Sequence, residues 1–265
     1  MKNYPSSKGL GLRRGVYLLP SLLTVGNLLC GYYAIFVTYK GGAREFDHAA
    51  IAIGIASLFD ALDGRVARVT GSNSEFGKQL DSLADIISFG VAPAFLAYVW
   101  GLQTITQSVG LPHHTVQIGW LVTLGFVICC AWRLARFNIQ GMMPASGMRY
   151  FVGMPCPAAA AQVAAVVHFE KTPLDDWRWA FVWLVVIAIL AALMVSRLRF
   201  YSFKDLGWQM PQPSLVVVLM ALFIGAIVWY SEEVLLLIAT LYTLSGLVLW
   251  LTRAARRRRP AARTA

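Results

Sequence analysis

Carboxylates are scarce in this chain: only 13 of its 265 residues are Asp or Glu, against 23 Lys and Arg. Charged residues amount to 14% and hydrophobic ones to 58%, whereas about a quarter of a soluble globular domain is charged. No polar stretch is long enough to form a soluble domain, so the chain reads as one membrane domain. Cysteine is also sparse. Cys30, Cys129, Cys130 and Cys156 lie in or beside apolar segments with no C-x-x-C pair and no neighbouring histidine cluster. That gives no sign of a disulfide framework or a zinc site and leaves small buried hydrophobes. No nucleic-acid motif accompanies the net charge of +10, whose basic residues are dispersed among segment ends.

What the chain has instead is apolar runs of about 20 residues, enough to cross roughly 30 Å of hydrocarbon. Eight are expected, at about 17–38, 48–68, 82–100, 117–137, 151–168, 178–196, 214–230 and 233–251. The fifth is short and contains Pro155 and Pro157, so a kink or a start deep in the bundle is expected there. The first run follows basic residues but is not followed by a small-residue cleavage site, and reads as a retained helix rather than a signal peptide. The expected fold class is therefore all-α, a polytopic bundle of about eight transmembrane helices. Residues 1–252 form one domain and residues 253–265 a basic tail.

Basic residues accumulate on the cytoplasmic side of membrane proteins. With the N-terminus placed there, all Lys and Arg except Lys40, Arg44, Lys171 and Arg178 fall on that side. An even number of helices returns the C-terminus to it, so both termini are expected to be cytoplasmic. His48, His113, His114 and His168 fall on the opposite side or its boundary and are not expected to be catalytic. Trp100, Trp177 and Trp208, near segment ends, are expected in an interfacial belt.

Against this background the segment DALDGRVARVTGSNSEFGKQLDSLAD, residues 60–85, concentrates four aspartates at the edges of two apolar runs. Ionised groups there are costly and point to function. Asp60 and Asp63, three apart, share a face of the second helix, which Gly64 and Ala67 continue as a groove of small residues. Asp81 and Asp85, four apart, share a face of the third, with Gly77 one turn earlier. If the linker 70–75 folds these helices side by side, the acidic pairs meet. Four carboxylates can share a small space only with bound cations or protons. Oxygen-only ligands favour a hard divalent ion such as Mg²⁺, which also binds substrate phosphates. Arg68, and Arg65 and Lys78, would add positive charge against phosphate.

The pattern D60-x-x-D63-G64-x-x-A67-R68, then eight residues, then G77-x-x-x-D81-x-x-x-D85 resembles the signature of the CDP-alcohol phosphotransferases, with every position filled. The resemblance implies metal ligation by Asp60, Asp63, Asp81 and Asp85, with Mg or Mn as the ion. It further implies Asp85 as general base, and Gly64, Ala67 and Arg68 as contacts of the CDP moiety. Lys78, Thr24 and Asn27 are further candidates for that moiety; Thr24 and Asn27 could instead hydrogen-bond a neighbouring helix. The resemblance also implies a homodimer, while the Lys and Arg distribution puts the segment 60–85 on the cytoplasmic face of the cell (inner) membrane.

The signature does not name the acceptor alcohol. The stretches 19–35, 70–94, RLARFN at 133–138, FVGMPCPAAA at 151–160 and 193–204 resemble the serine-accepting bacterial branch of the family. The implied reaction takes CDP-diacylglycerol and L-serine to phosphatidylserine and CMP. Arg133, Arg136, Arg149 and Lys204 could meet the serine carboxylate or a phosphate, or simply follow the positive-inside rule. Alternatives are a sibling enzyme using glycerol 3-phosphate, inositol phosphate or choline, and, from another class, an ion-coupled transporter. A transporter would spread charge near the midplane of several helices; here it clusters on two helices near one face.

Overall fold

A computed structural model describes residues 10–70, 74–103, 113–140, 150–201, 225 and 229–258. Helix α1 (Leu10–Lys40) and helix α2 (Ala43–Thr70) form an antiparallel hairpin. Its turn is Gly41-Gly42, at φ of 70° and 111°, a left-handed backbone that only glycine adopts without penalty. Three carboxylates of the signature are brought together by the next element. Helix α3 (Glu75–Gln103) is one helical run long and apolar enough to cross a membrane. Ser74 caps it by accepting from Gly77 N–H at 2.9 Å, leaving Asp81 inside the helix rather than at its cap.

Helix α3 is not α-helical throughout. It widens into π turns at Ile86–Val91 and Val99–Gln103. The first lies between Asp85 and Pro93, and the Ala92 N–H reaches back five residues to Ile87 O. Pro93 has no N–H to continue the ladder, and the wider turn absorbs the interruption. Such turns gather at functional sites.

Helices α4 (His113–Gln140), α5 (Cys156–Glu170), α6 (Trp177–Val195) and α7 (Ser231–Arg258) complete the described bundle. Two three-residue strands, β1 (Tyr150–Val152) and β2 (Arg199–Tyr201), pair antiparallel with Phe151 opposite Phe200. This ribbon is a small addition to an otherwise all-helical fold. Pro155 and Pro157 do not kink a helix: Pro155 is the N-cap of α5 and Pro157 sits in its first turn, where a missing N–H costs nothing. At 15 residues, about 22 Å, α5 falls short of the hydrocarbon thickness.

Among the described residues, four helical stretches are long and apolar enough to span a membrane: Ser21–Lys40, Glu75–Gln103, Val116–Ile139 and Trp177–Val195. The expected run at 214–230 lies almost wholly outside the described residues. The core between the helices is rich in alanine, including Ala34, Ala49, Ala56, Ala97, Ala160 and Ala164. Small residues let backbones approach closely where lipid tails remove the hydrophobic incentive to associate.

Trp100 belongs to this core, not to an interfacial belt. It is 1% exposed and meets Trp183 edge-on, centroids 5.2 Å apart, because the second π turn aims it at α6. Trp177 is exposed at the start of α6, and Trp208 lies outside the described residues.

The helix ends far from the acidic segment are fastened by a polar network. His168 of α5 pairs through Nδ1 with Asp47 of α2 at 2.5 Å and through Nε2 with Ser231 of α7 at 3.0 Å. Lys171, just past α5, donates to Glu232 of α7. The network ties α2, α5 and α7 some 20 Å along α2 from Asp60, counting about 1.5 Å per residue.

Candidate metal centre and active site

Helices α2 and α3 bring Asp60, Asp63 and Asp81 together, with carboxylate oxygens within 4.8 Å of one another. Asp63 is 4% exposed, while Asp60 and Asp81 are half-buried. Carboxylates this close repel unless a cation or protons intervene. One oxygen of Asp81, Oδ1, is buried without a hydrogen-bond partner among the described residues. An all-oxygen set with an orphaned buried acceptor fits a hard divalent cation. Asp85, 8% exposed, stands beside this trio within electrostatic reach of Asp60 and Asp81.

Helix α1 fixes two of the four carboxylates. Thr24 Oγ1 donates to Asp63 Oδ2 at 3.1 Å, and Asn27 Nδ2 donates to Asp85 Oδ1 at 3.1 Å. Both side chains thus make interhelical bonds to the signature aspartates themselves. Asn27 is fully buried and its own Oδ1 has no partner among the described residues, so a second unmet acceptor faces this region. Gly31, one turn on, is needed for contact: a Cβ there would stand 2.8 Å from Ser88 Cα. Ser88, in the first π turn, donates to Asn27 O at 2.9 Å.

The other expected site residues fall in several different places. Gly64 and Ala67 continue the Asp60 face of α2, half-buried, while the Arg68 side chain lies outside the described part. Lys78 is exposed and paired with Glu75 at 2.7 Å, on the surface of α3. Arg133 is 7% exposed, with an Nε unpartnered among the described residues, and lies against Cys156. Cys156 is in turn within electrostatic reach of Asp60 and Asp85, so the buried guanidinium and the acidic group share one region. Arg136 donates to Val195 O at 3.4 Å, beside the β-ribbon. Arg149 and Lys204 lie outside the described residues.

Two further residues of this region, Ser88 and Asn138, lie within the stretches 70–94 and 133–138 but were not among the expected site residues. Ser88 pins α1, as above, and Asn138 of α4 donates to Ser82 Oγ, next to Asp81, at 2.9 Å. The available signal was the one that singled out Thr24 and Asn27, a polar side chain inside an apolar run.

The model of the CDP-alcohol phosphatidyltransferase family matches residues 17–175. A CDP-diacylglycerol–serine O-phosphatidyltransferase of Helicobacter pylori is 35% identical over 237 residues, covering 89% of this chain and 92% of that protein. An archaetidylserine synthase of Methanothermobacter thermautotrophicus is 34% identical over 192 residues, 71% of this chain and 72% of that one. Among solved structures, the Mycobacterium tuberculosis phosphatidylinositol phosphate synthase in complex with manganese and citrate overlaps 69% of this chain and 79% of its own. Its 21% identity and TM-score of 0.43 are too low to build on. The family match spans the hairpin, the acidic trio, Asp85 and Arg133, and on it the chain belongs to the CDP-alcohol phosphatidyltransferase family.

Proposed function

We propose that this enzyme transfers the phosphatidyl group of CDP-diacylglycerol to L-serine, releasing CMP and forming phosphatidylserine. The meeting of Asp60, Asp63 and Asp81 beside Asp85 carries the chemistry. The acceptor rests on the serine named in both relatives above.

Asp60, Asp63 and Asp81 would hold Mg or Mn, with Asp85 as a further ligand. Bound there, the ion supplies positive charge against the donor's phosphate oxygens. Gly64, Ala67 and Arg68 lie along α2 where the CDP moiety would rest, with Thr24, Asn27 and Lys78 as further contacts. Asp85, oriented by Asn27, accepts the proton of the serine hydroxyl. The serine oxygen then bonds to the β-phosphorus as the bond from that phosphorus to the CMP oxygen breaks. Arg133, a buried cation whose Nε has no partner among the described residues, suits the serine carboxylate, since guanidinium and carboxylate pair in a matching fork. Arg136, Arg149 and Lys204 are candidate supporting cations.

The Lys and Arg distribution supports an active site on the cytoplasmic face of the inner membrane, eight spans within residues 1–252 and a basic tail; a homodimer follows from the family resemblance. The test incubates purified protein with CDP-diacylglycerol, Mg²⁺ or Mn²⁺ and a panel of alcohols, following CMP release. Serine should accelerate release well above water. Acceleration by glycerol 3-phosphate, inositol phosphate or choline, with none by serine, would overturn the acceptor assignment.

A further inference from the structure

The stretch FVGMPCPAAA, residues 151–160, delivers the start of α5 into the interior of the protein. Gly153 takes φ of 81°, and a Cβ there would stand 2.4 Å from Met194 O, so the turn requires glycine. Gly153 N–H donates to Leu198 O at 2.7 Å and Met154 N–H to Leu193 O at 3.0 Å. These bonds pin the approach to α5 against the end of α6 and the segment after it. Pro155 then caps α5 with no side-chain hydrogen bond, and the Ala158 and Ala159 N–H groups both turn back to Pro155 O at 3.1 Å. Met154 and Cys156 are fully buried. The positive end of α5 is therefore inside the protein, with no acidic residue in its first turn and no side-chain cap.

Arg133 of α4 meets this end. Its side chain hydrogen-bonds that of Cys156, the first residue of α5. Arg133 is 7% exposed, its Nε has no hydrogen-bond partner, and no carboxylate pairs with it among the described residues. A cation at a helix N-terminus adds to the positive end of the macrodipole and does not offset it. Two buried positive features thus converge with no anion bonded between them, and a buried charge is costly unless it is paired. Asp60 and Asp85 stand within electrostatic reach of Cys156, so an anion held here would lie beside the metal centre.

The Cys156 thiol links these parts. It donates to Cys130 O at 3.6 Å, three residues before Arg133 on α4, which leaves the sulfur to accept from the guanidinium. The sulfur is thereby anchored to the same helix that carries Arg133. We propose that Cys156 is a positioning residue of the acceptor site: its thiol orients Arg133 so that the guanidinium and the positive end of α5 together receive the carboxylate of an amino-acid acceptor. The proposal rests on the reading that Arg133 meets that carboxylate.

The experiment measures kcat and the KM of each substrate for CMP release by the unaltered enzyme and by Cys156→Ala, Cys156→Val, Cys156→Ser, Cys129→Ala and Arg133→Met. Cys129, half-buried on α4, controls for loss of a thiol. The KM for serine should rise about fivefold in Cys156→Ala and Cys156→Val, which cannot accept from the guanidinium. That is less than a hydrogen bond to a charged group usually contributes, because sulfur is a weak acceptor. Cys156→Ser keeps a donor and an acceptor and should stay within about twofold of the unaltered enzyme, as should Cys129→Ala. The KM for CDP-diacylglycerol should hold in all of the cysteine variants, which also reports that they are folded. An unchanged KM for serine in Cys156→Ala and Cys156→Val, with Arg133→Met raising it, would overturn the proposal alone. An equal rise in Cys156→Ser, or matching rises for both substrates, would overturn it too. If Arg133→Met leaves the KM for serine unchanged, the underlying reading of Arg133 falls and the proposal with it.

Discussion

Asn27 of α1 holds Asp85 of α3 through a 3.1 Å hydrogen bond that joins residues 58 positions apart. Asn27 is fully buried, so the last carboxylate of the signature is oriented by the first helix and not by its own. Asn27→Leu, similar in volume, would leave Asp85 without that donor, a desolvation cost of about 1–3 kcal/mol. We expect kcat to fall at least a hundredfold with metal binding retained. Metal titration alongside turnover checks this; unchanged kcat would sink the positioning role of Asn27.

Thr24 acts one turn earlier on Asp63. Partners that orient a metal ligand typically contribute about 10- to 100-fold in affinity. Thr24→Val should therefore weaken Mn²⁺ binding by about that factor, while Asp63→Asn and Asp81→Asn abolish both binding and CMP release. Treatment with EDTA should stop turnover in the unaltered enzyme, and added Mg²⁺ or Mn²⁺ should restore it. Full turnover in EDTA would remove the metal from the reaction.

Gly31 should accept no side chain. A methyl group there meets Ser88 backbone at 2.8 Å, and overpacking of this kind costs about 1–3 kcal/mol. Gly31→Ala is expected to lower the melting temperature in detergent, whereas Gly54→Ala, where no atom lies within 4 Å of the new methyl, should not. Equal melting temperatures would mean that α1 and the π turn can separate freely.

Arg133→Met should raise the KM for serine at least tenfold and change the KM for CDP-diacylglycerol by less than threefold. Proportional changes in both would take Arg133 out of the acceptor pocket and return it to the role of a buried helix-packing cation.

The Lys171 and Glu232 pair gives a prediction in pH. The Lys171 ammonium holds the Glu232 carboxyl below the usual glutamate range, and Glu232 in turn raises Lys171. A lowered carboxyl contributes stability above its unfolded value and loses it as pH falls through the folded one. A raised ammonium contributes below its unfolded value and loses it as pH rises through the folded one. The unaltered protein should therefore melt slightly above Lys171→Met at neutral pH, with the two curves converging below about pH 4 and above about pH 10.5. Half-molar salt should shrink the difference, since the pair is exposed to solvent. A gap that is the same at pH 3 and pH 7 would exclude the ion pair as its source.

Much of the site was legible in residues 60–85 because helical spacing converts directly into a shared face: Asp60 with Asp63, and Asp81 with Asp85, follow from periodicity, while the approach of the two pairs was conditional on the helices lying side by side. The partners of these carboxylates were less accessible. Thr24 and Asn27 could be marked as polar residues in an apolar run, but choosing Asp63 and Asp85 as their acceptors required the rotation of α1 about its axis, which tertiary packing sets. Trp100 misled for the same reason. A tryptophan near a segment end suits an interface until a π turn directs it inward. The short ribbon was hidden too, since three-residue strands leave no periodic signal and are held by pairing between Phe151 and Phe200, far apart in the chain.

The π turn Ile86–Val91 also divides α3 into two independent readings of one helix. Each added residue rotates the downstream segment by about 100° relative to an unbroken α-helix. Upstream, the face aimed at α2 carries Asp81; downstream, the inward face carries Leu96 and Trp100. Were the same residues wound as an unbroken α-helix, the segment carrying Leu96 and Trp100 would turn by about 100° relative to the one carrying Asp81. Deleting one residue from this turn would therefore let it wind as an α-helix with both flanks still in phase, whereas inserting one residue between Asp85 and Ile86 or between Val91 and Ala92, with the wide turn kept, would act as a phase error that separates the chemistry from the scaffold.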